Sequence, residues 1–190
     1  QGLLELAGLP YVGCGVLASA VGMDKDVSKR LASYAGIPVT PYLVVKHEQW
    51  QLHPEKITHQ VAENIVYPVF VKPANTGSSI GINKVKDPHQ LIAAIEEAFR
   101  FDTKILIEKA LNVLELEVAV LESLEPDADP IVSVVGEIKP THEFYSYEAK
   151  YLDENGAELL IPASVSDEIQ EQARITAKNL FRILECEGMA

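Results

Sequence analysis

The chain has 190 residues, 47% of them hydrophobic and 23% charged, with a formal net charge of −12. That length holds one ordinary domain or two small lobes. The acidic excess argues against nucleic acid or an anionic membrane as the main partner, since both want a basic surface, although a local group of lysines can still hold one small anion.

No apolar run reaches membrane-spanning length, and the N-terminus lacks the basic-then-apolar layout of a secretory leader. "VLASAVGMDKDVSKRLASYAG" has helical spacing, with Gly22 and Asp24 offering a stop and a new N-cap, and Gly36 a C-terminal glycine. Cys14 lies just before this run and Cys186 near the other end. Two cysteines fit no zinc spacing and are too few for a disulfide framework, so a reduced, cytosolic protein is expected. "PVTPYLVV" reads as a strand and residues 54–64 as a short helix.

Val69 to Lys72 reads as a strand, with Gly81 to Val85 as its hairpin partner. "DPHQLIAAIEEAFRF" opens on Asp87 as N-cap and Pro88 at the first helical position, with Leu91, Ile92, Ile95, Ala98 and Phe99 as its apolar stripe. "KILIEKAL", "LEVAVLES" and "IVSVVGEIK" each read as a strand, and "LLIPA" as a short one. "PTHEFYSYEAKYLDENGAE" is long for a connection without structure, which marks it as functional or disordered. The final helix has Ser166 as N-cap and Ile169, Ala173, Ala177, Leu180, Phe181 and Leu184 toward a core. Strands joined by both hairpins and helices fit α+β lobes better than one doubly wound sheet.

Three stretches could carry chemistry. In "VFVKPANTGSSIGINKV", backbone N–H groups of a tight turn, two serine hydroxyls and the Lys72 ammonium would suit a phosphate. No lysine follows the second glycine, so the Walker pattern is absent, and a hairpin with a solvated tip fits equally well. In "ILIEKALNVLELE", Glu108, Lys109 and Glu115 stand at strand ends, where a backbone edge can pair with adenine and a carboxylate with ribose. Charges at a strand end are more often only surface charges. "FYSYEAKY" puts three tyrosines, Phe144, Glu148 and Lys150 in one loop, suited to a lid or to packing back on the core.

In order and spacing, "GLPYVGCGVLASAVGMDKDVSKRLASYAGIPV", "VFVKPANTGSSIGINKV", "ILIEKAL" followed by Glu115, and "EFYSYEAKY" resemble the D-alanine–D-alanine ligases of the ATP-grasp superfamily, over nearly the whole chain. The resemblance implies an α+β, ATP-grasp fold of two lobes with a nucleotide cleft between them. Residues 1–24 would end an N-terminal substrate lobe. Residues 25–115 would form the central lobe with the phosphate loop, and 116–190 the first part of a C-terminal lobe with the lid. Lys25 and Lys72 would touch the ATP phosphates, with Gly77, Ser78 and Ser79 as the flexible phosphate loop. Glu108, Lys109 and Leu111 would form the adenine hinge, and Glu115 would bind the ribose. Ser78, Lys150 and Tyr151 would act in catalysis, with Tyr151 hydrogen-bonding toward Ser78 and helping to select D-alanine as second substrate.

The implied reaction starts with ATP phosphorylating the carboxylate of one D-alanine. The amine of a second D-alanine then attacks the acyl phosphate, and phosphate leaves. That chemistry requires cations around the transferring phosphoryl group and a dry site. The resemblance further implies a cytoplasmic enzyme of peptidoglycan precursor synthesis, homodimeric at full length and dependent on Mg²⁺ or Mn²⁺. The family's arginine–hydrophobic–aspartate motif and its later metal-binding glutamate and asparagine have no match in these residues. Glu137 and Asp153 do not stand in matching positions. Most of the N-terminal lobe also has no counterpart, so the chain is expected to be a fragment without turnover. Two alternatives stand beside this: the same fold with another acceptor such as D-lactate, or a nucleotide-binding module without catalysis.

Overall fold

The computed structural model describes residues 1–125, 128–141, 147, 152–153 and 155–190. Helix α1 (Gly2–Leu6) opens the chain, followed by α2 (Val16–Met23) and α3 (Lys25–Tyr34). The break falls at Asp24, whose Oδ1 accepts the N–H groups of Asp26 and Val27 at 3.1 Å each. A carboxylate that answers two orphan amides starts a new helix at that point.

Strand β1 (Tyr42–Lys46) runs into α4 (His47–Leu52) and α5 (Pro54–Asn64). Helix α4 was not legible in the sequence because six residues carry no full apolar stripe. Its first turn is closed by Gln49 Oε1, which accepts the Lys46 N–H at 3.1 Å. Strands β2 (Val69–Pro73) and β3 (Asn83–Val85) make the expected hairpin, with Val69 opposite Val85. Asp87 caps a 3-10 turn (Pro88–Gln90) that leads into α6 (Leu91–Phe99), and β4 (Lys104–Lys109) follows. The four strands pair antiparallel in the order β1-β4-β2-β3.

One core fills this part of the molecule. Val69 and Val71 of β2 and Ile105 and Ile107 of β4 pack with Leu91, Ala94, Ile95 and Ala98 of α6 and with Ile57 and Val61 of α5. The α6 residues follow the i, i+3, i+4, i+7 rule. Ile92, expected on that stripe, sits one residue off it and is 50% exposed; Ala94 takes the buried place.

The remaining strands are β5 (Glu115–Glu117), β6 (Val120–Leu121), β7 (Ile131–Val132), β8 (Gly136–Pro140) and β9 (Ala157–Leu160). They form the antiparallel sheets β5-β8-β9 and β6-β7. "LEVAVLES" and "IVSVVGEIK" are therefore two strands each. Ser133 is the reason: its Oγ accepts the Ala119 N–H at 3.0 Å and donates to the Val134 carbonyl at 2.7 Å. A side chain that competes with the ladder in this way interrupts a strand.

Helix α7 (Asp167–Ile183) starts at Ser166, whose Oγ accepts the Ile169 N–H at 3.4 Å. Its expected core face is buried only at Phe181, while Ile169 is 48% exposed. Hairpins and helical connections with antiparallel sheets make the molecule α+β, as the residue pattern implied. Both cysteines are free thiols, and burial together with the neighbouring Cys14 pushes the Cys186 thiol up to about 12. No helix among the described residues is long and apolar enough to cross a membrane.

Candidate functional site

β2 and β4 lie side by side, with Phe70 opposite Glu108 and Lys72 opposite Leu106. Lys72 and Glu108 are thus diagonal neighbours on one face of the sheet, within reach of a long side chain. The Lys72 ammonium donates to Glu108 Oε1 and also lies over the Phe70 ring, 5.1 Å from its centroid. Lys29, one turn along α3 from Lys25, brings its Nζ to 3.0 Å from Glu108 Oε2. Glu108 is only 6% exposed. Burial pushes its carboxyl up, but Lys72 and then Lys29 outweigh that and hold it below the usual carboxylate range.

Lys25 turns toward the loop that follows β2. Its ammonium donates to the carbonyls of Pro73 at 3.0 Å, Ala74 at 3.4 Å and Thr76 at 2.5 Å. Burial, and then the neighbouring Lys72 charge, lower the Lys25 pKa. The loop is anchored again at Asn75, whose backbone N–H and side-chain Nδ2 donate to Asp102 Oδ2 at 2.7 and 3.0 Å. Two residues on, Lys104 Nζ holds both oxygens of Asp24 at 2.8 and 2.6 Å and Asp26 at 3.2 Å. The start of β4 therefore ties down both the head of α3 and the entry of the loop.

The loop backbone is unusual. Ser78 and Ser79 have φ of 53° and 58°, two successive non-glycine residues in the left-handed region. Each such conformation costs on the order of 1–3 kcal/mol and persists only where the surroundings impose it. Gly77 is the converse: its φ is ordinary, and a Cβ there would meet nothing within 4 Å. Nothing in the fold itself requires a glycine at that position. At the exit, Gly81 has φ +70°, and a Cβ there would lie 2.5 Å from Phe101 Cδ2 and 2.9 Å from the Pro73 ring.

These elements border one cleft of about 240 Å³. Its walls are Thr40, Phe70, Lys72, Ser79, Ile82, Glu108, Lys109, Leu111, Val113 and Glu115. Glu115 is exposed and begins β5, so the second sheet contributes one wall. The structure thus brings together Lys72, Ser79, Glu108, Lys109, Leu111 and Glu115. Lys25, Gly77 and Ser78 stand outside the lining, Lys25 being bonded to the carbonyls that lead into the loop. Lys150 and Tyr151 lie outside the described residues.

Lys29 was missed in the sequence because "DVSKRL" reads as a solvated helix face. Its partner Glu108 could have been found: "ILIEK" is a run with no polar alternation, which marks a strand covered on both faces. A glutamate continuing such a run is drawn inside with it and requires a cation.

Three other cavities are larger. One of about 430 Å³ is walled by Glu122, Glu125, Glu185 and Glu187 with Arg182, and a polyanion would be repelled there. A second, about 520 Å³ beside Trp50 and Phe99, has Arg100 as its cation, already 2.8 Å from Glu97. The third, about 290 Å³ beside Leu43 and Ile57, has Lys56 as its single lysine and no carboxylate. The smaller cleft is the one with lysines in its wall and a carboxylate at its far end. No group of three or more His, Cys, Asp or Glu residues that could hold a metal occurs among the described residues. Glu137 is buried and accepts the Ser164 N–H at 3.0 Å, a structural contact. The described residues thus offer no all-protein cage for a divalent cation, and the chemistry assigned to the cleft is that of its own side chains.

Residues 31–190 match the family model described as D-ala D-ala ligase C-terminus. The chain is 52% identical over its whole length to the D-alanine–D-alanine ligase of Caldicellulosiruptor bescii, covering 51% of that protein. It is 50% identical to D-alanine–D-alanine ligase A of Bradyrhizobium diazoefficiens, covering 50% of it. Among solved structures, the VanG D-Ala:D-Ser ligase from Enterococcus faecalis superposes with a TM-score of 0.84 at 37% identity, over 99% of this chain and 52% of that one. The D-alanine-D-alanine ligase of Coxiella burnetii gives 0.80 at 30% identity, over 100% and 47%. The chain spans about half the length of the relatives it matches.

Proposed function

We propose, from the premise that this chain belongs to the D-ala D-ala ligase C-terminus family, that its cleft binds ATP and that the whole protein joins two D-alanines through an acyl phosphate. The product, D-alanyl-D-alanine, would serve peptidoglycan synthesis. One observation carries the reading: Lys72, the Ser79 turn and Glu115 border the same cleft although they come from separate elements. A phosphate tail beside Lys72, a base against Leu111 and a ribose on Glu115 would fill it in one extended pose.

Each role has a physical basis. The Lys109 and Ala110 N–H groups are already bonded to the carbonyls of Pro41 and Pro68 at 3.1 and 2.9 Å, so the first N–H to offer an adenine edge is that of Leu111, while the Lys109 and Ala110 carbonyls stand opposite prolines, which have no N–H to give them. The strained Ser78–Ser79 turn and the steric freedom at Gly77 suit a backbone that closes onto phosphate oxygens. Lys25 positions that loop by holding its carbonyls. Lys150 and Tyr151 complete the proposal as lid residues, with Ser78 and Tyr151 oriented to the second D-alanine. The lobe boundaries near residues 24 and 115 are proposed with it, as is a homodimer for the whole protein.

A chimera tests the reaction. Replacing the matching half of the Caldicellulosiruptor bescii protein with this chain should give D-alanine-dependent phosphate release and D-alanyl-D-alanine, at a rate within about tenfold of the parent. A folded chimera that binds ATP but releases no phosphate would overturn the ligase reading and favour a nucleotide-binding module. The similarity to a D-Ala:D-Ser ligase supports a second reading of the acceptor. Product formation with D-serine exceeding that with D-alanine would decide for it.

A further inference from the structure

We propose that Lys29 is a positioning residue that frees Lys72: it holds the charge of Glu108 while the Lys72 ammonium turns to the phosphates of a nucleotide. The inference rests on the ATP reading above. Lys72 carries one charge, and here that charge is committed to Glu108 Oε1. To engage a phosphate fully it must loosen that bond. Glu108 is 6% exposed, and a carboxylate stranded at that depth takes up a proton rather than remain charged and unpaired.

Among the described residues, the surroundings leave one candidate to prevent this. Glu108 faces Lys72 and Phe70 on β2, Tyr42 on β1, and Lys29 and Lys25 on α3, with Lys84 of β3 on the far side of the Phe70 ring. Among the described residues, Lys29 and Lys72 are the cations in ion-pair contact with it. Lys25 is tied to three loop carbonyls, and Lys84 lies 5.9 Å from the Phe70 centroid. Two ammonium groups on one carboxylate are one cation more than neutrality requires. Lys72 is in the cleft lining and Lys29 is not, so Lys72 is the one available to a ligand.

Calorimetric titration of ATP into the 190-residue chain, near pH 8 in buffers of different ionisation enthalpy, reads both affinity and protons exchanged. In Lys29→Met the dissociation constant should rise at least about tenfold, the scale of one charge-assisted contact. ATP binding should also take up an extra proton that the unsubstituted chain does not, because Glu108 becomes protonated as Lys72 leaves. Lys29→Arg should restore both. A merely structural role for Lys29 would weaken binding without moving the proton count. In a Glu108→Gln background, Lys29→Met should cost little further affinity and exchange no extra proton; this comparison holds even if Lys29→Met alone does not fold. Unchanged affinity and proton count in Lys29→Met, or an undiminished cost of Lys29→Met in the Glu108→Gln background, would overturn the inference alone. Failure of the unsubstituted chain to bind ATP would remove the ATP reading and this inference together.

Discussion

Glu108→Leu is expected to destabilise the chain by about 3 kcal/mol, the lower end of the cost of removing one member of a buried ion pair. The substitution leaves Lys72 and Lys29 facing each other with no anion between them, and Lys25 close by. The low end is chosen because both lysine side chains are 22% exposed and can swing partly into water. Urea denaturation measures it as a lowered midpoint with an unchanged slope. Adding Lys72→Met should recover part of the loss, since an apolar replacement of a buried pair is nearly neutral.

The same experiment has a pH signature. The Glu108 carboxyl is held below its usual range in the folded state. A depressed carboxylate stabilises the fold above the unfolded-state value, and that contribution fades as pH falls through the folded-state value. The gap between the unsubstituted chain and Glu108→Leu should therefore be full at neutral pH and narrow below about pH 4. A gap independent of pH would mean that leucine is simply the wrong shape there.

Lys72→Ala is expected to weaken ATP binding by about tenfold to a hundredfold, the loss of one charged hydrogen-bond donor to a phosphate. The loss should shrink as salt is added, because part of it is Coulombic attraction across a partly exposed cleft. Lys178→Ala is the control. That lysine pairs with Asp129 at 2.8 Å on the exposed face of α7, where an ion pair contributes little, and ATP affinity should not change. Equal losses in the two variants would reduce the effect of Lys72 to net charge.

Much of this fold was legible because its signals are local. Asp24 and Ser166 announce helix starts, Val69 and Val85 meet as the hairpin register requires, and α6 follows its apolar spacing. Errors arose where distant residues decide. Ser133 divides two strands by bonding Ala119 across a sheet. Ile169 is exposed on a stripe that reads as core. Lys72, Ser79 and Glu115, picked out by strand ends and a glycine-serine turn, do border one cleft. The Lys29–Glu108 contact was not legible, because nothing near Lys29 in the chain distinguishes it from a solvated lysine. Glu108 was expected as part of the adenine hinge; the burial of its side chain between two ammonium groups was not foreseen.

Photolabelling the chain with an azido-adenine analogue of ATP tests the placement of the nucleotide most directly. The label should fall on the peptide holding Leu111, Val113 and Glu115, and excess ATP should abolish it. Label concentrated instead on the stretch from Glu122 to Pro130 or on Phe181 to Glu187, around the larger acidic cavity, would contradict the assignment of the lysine-lined cleft.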